Sequence, residues 1–316
     1  MENFIYSINA TVPVFLVIVL GYVLMQTKML NENFVTVTNK FNFQVTLPFL
    51  VFKDIAGANV RENFDLKFVL FCAGATTVCF FAIWGLTKLF VKDRTIHGAF
   101  VQASFRSSAA VMGIAFIQNI YGNSGMAPMM ILGSVPLYNI YSVIVLTMEA
   151  REEGEGKGKE RIKKAMIGIV TNPIIIGIIL GLLVSVSGIT FPTLINKTVQ
   201  SVASMASPLA LIAIGAGFEG KKALGKIKPT IWVALIKLVF QTMVFLPLAC
   251  MMGFRTEKLI AILIMLSAPT TPSCYIMAKN MKNDGVLTAS AVVVTTLCSS
   301  VTLTLWIYIL KSMGFI

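Results

Sequence analysis

Ten apolar stretches of bilayer-crossing length fill this chain: residues 4–25, 34–56, 66–91, 97–120, 125–148, 165–186, 191–218, 229–252, 258–279 and 285–309. A helix needs about 20 apolar residues to cross the hydrocarbon core. Lipid satisfies no backbone polar groups, so such stretches must be helical. Ten of them in 316 residues leave room for little besides short connections. The chain therefore reads as an all-α polytopic membrane protein. Composition agrees: 56% hydrophobic, 13% charged and a mean hydropathy of +0.82, far from soluble usage. The first stretch is long and runs into more of the same, so no cleavable signal peptide is read.

The net charge of +12 would suggest nucleic acid in a soluble protein. Here the basic residues sit in loops, with no aromatic-interleaved patch, so a nucleic-acid partner is not expected. Sixteen Lys and Arg fall in loops after the odd-numbered spans and seven on the opposite side. The positive-inside rule makes the first set cytoplasmic and puts both termini outside. The expected location is the plasma (cell inner) membrane, crossed many times. Five cysteines lie in apolar stretches without metal spacing, and the single His97 cannot build a metal cluster. No cofactor and no metal are expected.

The one long polar interval, 149–164, carries alternating charge and three glycines. It reads as a solvated cytoplasmic linker. It divides the chain into residues 1–148 and 165–316, five spans each. An offset of 160 residues lays Pro13 on Pro173, Gly21 on Gly181, Pro48 on Pro208 and Asn123-Ser124-Gly125 on Asn283-Asp284-Gly285. The matches fall on helix breakers and turns, and the spans stay in phase. An odd number of spans per copy turns the second copy upside down. Inverted repeats mark secondary transporters.

Span nine contains LSAPTTPSCY, residues 266–275. Two prolines three residues apart break a helix, and Ser267, Thr270, Thr271 and Ser273 surround them. The matching segment of span four is RSSAAVMG, residues 106–113, with Ser107 opposite Ser267 and Gly113 supplying a break without proline. Two discontinuous helices at matching positions of inverted halves meet near the midplane. The second half-helix of each then aims its N-terminus at the meeting point, a place suited to a carboxylate. Candidate binding residues are Arg106, Ser107, Ser108, Gly113, Ser267, Pro269, Thr270, Thr271, Pro272 and Ser273.

Arg106 lies too deep to leave the core easily. It has two readings: a planar fork for an anion, or a donor to carbonyls freed by the broken helices. Lys237 is equally deep in span eight, with no polar neighbour before Gln241. Span two carries a polar stripe with Asn42 and Gln44, and Gln44 shares a face with Pro48. Asn42, Gln44 and Lys237 are candidates for lining or coupling, or for bonding between helices. Lys40 is placed to snorkel, and Asp54 to pair with Lys53.

VPVFLVIVLGYVL, FNFQVTLPFLVF and SAPTTPSCYIMAKNMKNDGVLTASAVVVTT together resemble the auxin efflux carrier family. That family takes in plant auxin exporters and prokaryotic malate and malonate permeases. The resemblance spans nearly the whole chain. It implies the fold of sodium/proton antiporters and bile-acid symporters. Spans 1, 2, 6 and 7 would form a scaffold, often dimeric; spans 3–5 and 8–10 would form a moving domain that slides as an elevator. The implied crossover maps to residues 108–113 and 269–273. Span four departs from the family pattern: Ala115 follows Gly113-Ile114 where GxP is usual.

The expected function is a secondary transporter of small organic anions, mono- or dicarboxylates such as malate, malonate or an auxin-like acid. A sodium- or proton-coupled symporter of the same fold is an alternative. A membrane-embedded enzyme would need a nucleophile–base pair or a metal cluster, and one histidine with almost no buried acids argues against it. A membrane sensor would bind the anion without moving it.

Overall fold

The computed structural model describes residues 2–57, 65–109, 117, 126–150, 166–168 and 170–316, with side chains described from Val12 onward. Gly113 and nearly all of the 149–164 linker lie outside them. Among the described residues every regular element is helical. Five stretches are long and apolar enough to cross a membrane, and two more apolar helices are shorter.

The elements follow from local chemistry. α1 (Glu2–Gln26) is followed by α2 (Glu32–Phe41), capped by Asn31, whose Oδ1 accepts from Phe34 N at 2.9 Å. A π-helical turn (Asn42–Thr46) joins α2 to α3 (Leu47–Ala56) in one continuous rod, and Pro48 follows that turn as the second residue of α3. Asp65 caps α4 (Leu66–Phe90), and α5 (His97–Phe105) follows a short 3₁₀ turn. α6 is Ala127–Met148. α7 (Pro173–Ser187) begins on an Asn172 cap and stops at Gly188, whose φ of 69° suits a residue without Cβ. α8 (Thr193–Ser204) and α9 (Ala206–Ala216) form one rod. After α10 (Gly220–Gly225), α11 (Ile227–Leu235), a second π turn (Ile236–Phe240) and α12 (Gln241–Met251) form another. α13 (Thr256–Ser267) and α14 (Ser273–Asn280) are short, and α15 (Gly285–Ser312) starts on an Asp284 cap.

Polarity is distributed as lipid requires. Leu16, Leu20, Phe81, Leu183 and Val301 face outward, while Asn39, Asn42, Gln102, Asn139, Thr242 and Thr296 are buried. In water that arrangement would be unstable; in a bilayer the polar groups find partners only inside.

Close approaches fix how the rods pack. α1 lies against α9 and α15, and α3 against α7. A Cβ on Gly21 would strike the backbone of Ile212, and one on Gly181 would lie 3.1 Å from the Phe52 carbonyl oxygen. Gly21 and Gly181 are 160 residues apart, as are Phe52 and Ile212. The two contacts are therefore equivalent under the repeat offset. Small residues let membrane helices approach this closely.

The two ends of the bundle are tied separately. At one, Lys258 Nζ lies 2.6 Å from Asp65 and Thr256 N donates to the Phe315 carbonyl at 3.1 Å. At the other, Lys226 Nζ lies 3.1 Å from Asp93 and 3.5 Å from Asp284. There too Glu149 accepts from Trp84 Nε1 at 2.8 Å, beside Lys88 and His97.

Candidate functional site

Span nine is broken. α13 stops at Ser267, Ala268 turns extended with ψ 149°, and helix resumes at Ser273. Pro269 and Pro272 bracket the gap. A helix end leaves carbonyls without intrahelical donors, and here Met265 and Leu266 find theirs on other helices. Leu263 accepts from Ser267 Oγ at 2.8 Å and Ile264 from Ala268 N at 2.9 Å. Met265 accepts from Tyr138 OH at 3.1 Å and Leu266 from Lys237 Nζ at 2.7 Å.

Span four breaks beside it. α5 stops at Phe105, and Arg106 is extended, with φ −79° and ψ 133°. The Gln102 carbonyl accepts from Arg106 N at 3.1 Å, and the Ala103 carbonyl from Thr270 Oγ1 at 2.8 Å. The Ser104 carbonyl accepts from Gln241 Nε2. The two breaks also bind one another. Ser108 N donates to the Pro269 carbonyl at 2.9 Å, and Ser107 Oγ to the Ala268 carbonyl at 3.3 Å. Thr270 N donates to Thr295 Oγ1 on α15 at 3.0 Å. Pro269 and Pro272 force the span-nine gap open, and each gap is closed by donors from the other and from neighbouring helices.

A pocket of about 40 Å³ adjoins this meeting point. Arg106, Ser107, Ser108, Thr271 and Ser273 line it from the breaks, Tyr138 and Asn139 from α6, and Leu47, Leu50, Val51 and Asp54 from α3. The α3 residues recur at helical spacing on one face. Arg106 is 5% exposed. Its Nη2 donates to Asn139 Oδ1 at 2.7 Å, and Nη1 lies against the Met277 sulfur. Asn139 is held in turn by donating to the Val135 carbonyl at 2.9 Å. Thr271 and Ser273 hydroxyls are 3.2 Å apart. The pocket thus combines one guanidinium, several hydroxyl groups and an apolar wall with one carboxylate, Asp54; the guanidinium and hydroxyls are chemistry for a small carboxylate. Asp54 also lies on Lys53, 3.6 Å away. Among the described residues no three His, Cys, Asp or Glu gather as metal ligands.

The candidate residues divide into two groups. Arg106, Ser107, Ser108, Thr271 and Ser273 reach the pocket; Ser267, Pro269, Thr270 and Pro272 build the break without lining it. Among the described residues the Arg106 guanidinium donates to Asn139 and lies against Met277, and to no freed carbonyl does it donate. Lys237 has a polar neighbour after all, the Leu266 carbonyl, and it does not line the pocket. Asn42 donates to the Ala206 carbonyl at 3.4 Å, a bond between helices, and accepts from Thr46 within its own turn. Gln44 is exposed on the outside of the bundle. The π turn (Asn42–Thr46) that contains Gln44 adds residues per turn and shifts the phase that α-helical spacing assumes. Lys40 is exposed. Asn139, Tyr138 and the pocket side of Asp54 were not anticipated; a lone asparagine inside the apolar run of α6 is the signal that marks one of them.

The family model described as "Membrane transport protein" matches residues 6–307. The chain is also similar to the uncharacterized transporter YfdV of Escherichia coli (strain K12), at 23% identity over 309 residues, covering 96% of this chain and 98% of that one. The YfdV proteins of Escherichia coli O157:H7 and Shigella flexneri match with the same identity and coverage.

Proposed function

Because the chain belongs to the membrane transport protein family that includes the auxin efflux carriers, we propose that it is a secondary transporter of small organic anions. The substrates are mono- or dicarboxylates of the size of malonate or malate, or an auxin-like acid. One observation carries the reading: two helix breaks meet, tied by Ser108 N to the Pro269 carbonyl, beside a pocket that holds the buried Arg106. In broken-helix transporters, half-helix N-termini at the midplane face anionic groups. Arg106 supplies the fork for the carboxylate, and Ser107, Ser108, Thr271 and Ser273 supply its hydrogen bonds.

The fold reading that goes with this function is ten spans in two inverted five-span repeats, with crossed spans four and nine. The equivalence of Gly21–Ile212 and Gly181–Phe52 supports the repeat. Spans 1, 2, 6 and 7 act as scaffold, paired as a homodimer, and spans 3–5 and 8–10 move as an elevator. The 40 Å³ pocket has room for a few water molecules, less than a dicarboxylate needs. Substrate therefore enters when the breaks separate from α3, the movement an elevator supplies. Both termini lie outside the cell inner membrane and the 149–164 linker inside. With the interior negative, each net negative charge leaving gains about 2.3 kcal/mol per 100 mV, so export of an anion needs no coupling ion.

Asp54 favours a second reading, proton-coupled movement. It shares the pocket with Arg106 and opposes an incoming anion unless it is protonated or held by Lys53.

Counterflow in proteoliposomes tests the transport reading. Vesicles loaded with malonate, malate or indole-3-acetate should accumulate the same labelled acid, and the corresponding neutral amides should not drive uptake. No counterflow for any of a broad panel of mono- and dicarboxylates would sink it. Faster counterflow at lower pH, abolished in Asp54→Asn, would favour proton coupling.

A further inference from the structure

One rod holds the carbonyl ends of both broken helices. Lys237 lies in the π turn between α11 and α12, and Gln241 follows it at the start of α12. Lys237 Nζ donates to Leu266 in the last turn of α13, and Gln241 Nε2 to Ser104 in the last turn of α5. The two donors do the same geometric task with different charge. A neutral amide suffices at α5, so hydrogen bonding alone does not require an ammonium at α13.

Charge is what distinguishes Lys237. The carbonyl end of a helix carries about half a negative charge, and in carriers built from broken helices such ends hold sodium or a proton. Lys237 is wholly buried, and among the described residues no carboxylate pairs with it. An ammonium at that depth is costly unless something negative receives it. The negative group that receives it is the carbonyl end of α13.

We propose that the Lys237 ammonium is a tethered cation. It fills the position at the C-terminal end of α13 that a free monovalent cation would otherwise take, so the crossover assembles and binds its anion without sodium. The inference rests on the crossover being the anion site, but its test does not need transport.

The measurement is the melting temperature of the purified, substrate-free protein in chloride salts of equal ionic strength. Wild type should melt at the same temperature in sodium, lithium, methylammonium and N-methylglucamine chloride. Lys237→Ala should melt lower in N-methylglucamine and recover by about 2 °C or more in at least one of the three small cations, as binding to the native state requires. Stabilisation of wild type by sodium would overturn the proposal, as would a Lys237→Ala protein indifferent to all three. If Lys237→Ala does not fold, Lys237→Gln takes its place. Indifference of that protein to the same cations overturns the proposal, and selective stabilisation by them upholds it. Absence of counterflow with these melting results intact would count against the transport reading alone.

Discussion

Arg106 Nη2 donates to Asn139 Oδ1 at 2.7 Å, across from the break of span four to the middle of α6. Asn139 is itself fixed by the Val135 carbonyl, so the guanidinium is held by a partner that cannot neutralise it. An aspartate there would form an ion pair and leave the substrate a weaker electrostatic claim on Arg106. Asn139→Asp should keep the fold and weaken carboxylate binding about tenfold or more, a difference of about 1.4 kcal/mol. A titration of the best-binding acid against both proteins checks this; equal affinity would separate Arg106 from the anion.

Gln241→Leu should destabilise the protein without removing any pocket residue. It leaves the Ser104 carbonyl buried and unpaired in the last turn of α5, which costs about 1–3 kcal/mol. A lower melting temperature with the substrate affinity of the remaining folded protein retained is the expected result.

Gly21→Leu and Gly181→Leu should be damaging alike, because each side chain would be driven into the backbone of a facing helix. Overpacking of this kind costs about 1–3 kcal/mol and often more. Gly74→Leu is the control: nothing lies within 4 Å of its would-be Cβ. There helix propensity favours the change by up to about 1 kcal/mol. Melting curves of the three proteins should place Gly74→Leu at or above wild type and the other two well below.

Asp65 links stability to pH. Its carboxyl is held below the usual range chiefly by the hydrogen bond from Lys258 Nζ, then by Phe68 N. A carboxylate whose pKa is lower folded than unfolded contributes stability that is complete above the unfolded value. That contribution fades as pH falls from there through the folded value. Asp65→Asn should therefore melt below wild type at neutral pH, and the gap should close in the acid range. A gap that stays constant with pH would show that the carboxylate does not stabilise the fold through its charge.

The break of span nine was legible because proline chemistry is local: residues 268–272 are non-helical wherever that segment sits. The span-four break was read from the small residues and Gly113 of 106–113, and Gly113 lies outside the described residues. The helix ends earlier, at Phe105, because the Ser104 and Ala103 carbonyls are taken by Gln241 and Thr270 rather than by their own turn. Thr270 illustrates the limit. Its hydroxyl announces a hydrogen bond, but the partner is the Ala103 carbonyl, 167 residues away, rather than a ligand. Lys237, Gln241 and Tyr138 cap carbonyls that spacing cannot point to, because the pairing is made by helix packing. Gln44 misled because a π turn changed the phase of a stripe read at 3.6 residues per turn.

The central claim is that a carboxylate binds at the crossover through Arg106. It is tested most directly by equilibrium binding of the carboxylate that best stabilises wild type, measured on wild type, Arg106→Ala and Gln44→Ala. Gln44 is exposed and is not among the residues that line the pocket. Binding should weaken by about tenfold or more in Arg106→Ala, as loss of a charge-assisted bond worth about 1.5–3 kcal/mol requires, and stay unchanged in Gln44→Ala. A folded Arg106→Ala protein that binds the same acid with wild-type affinity would contradict the account.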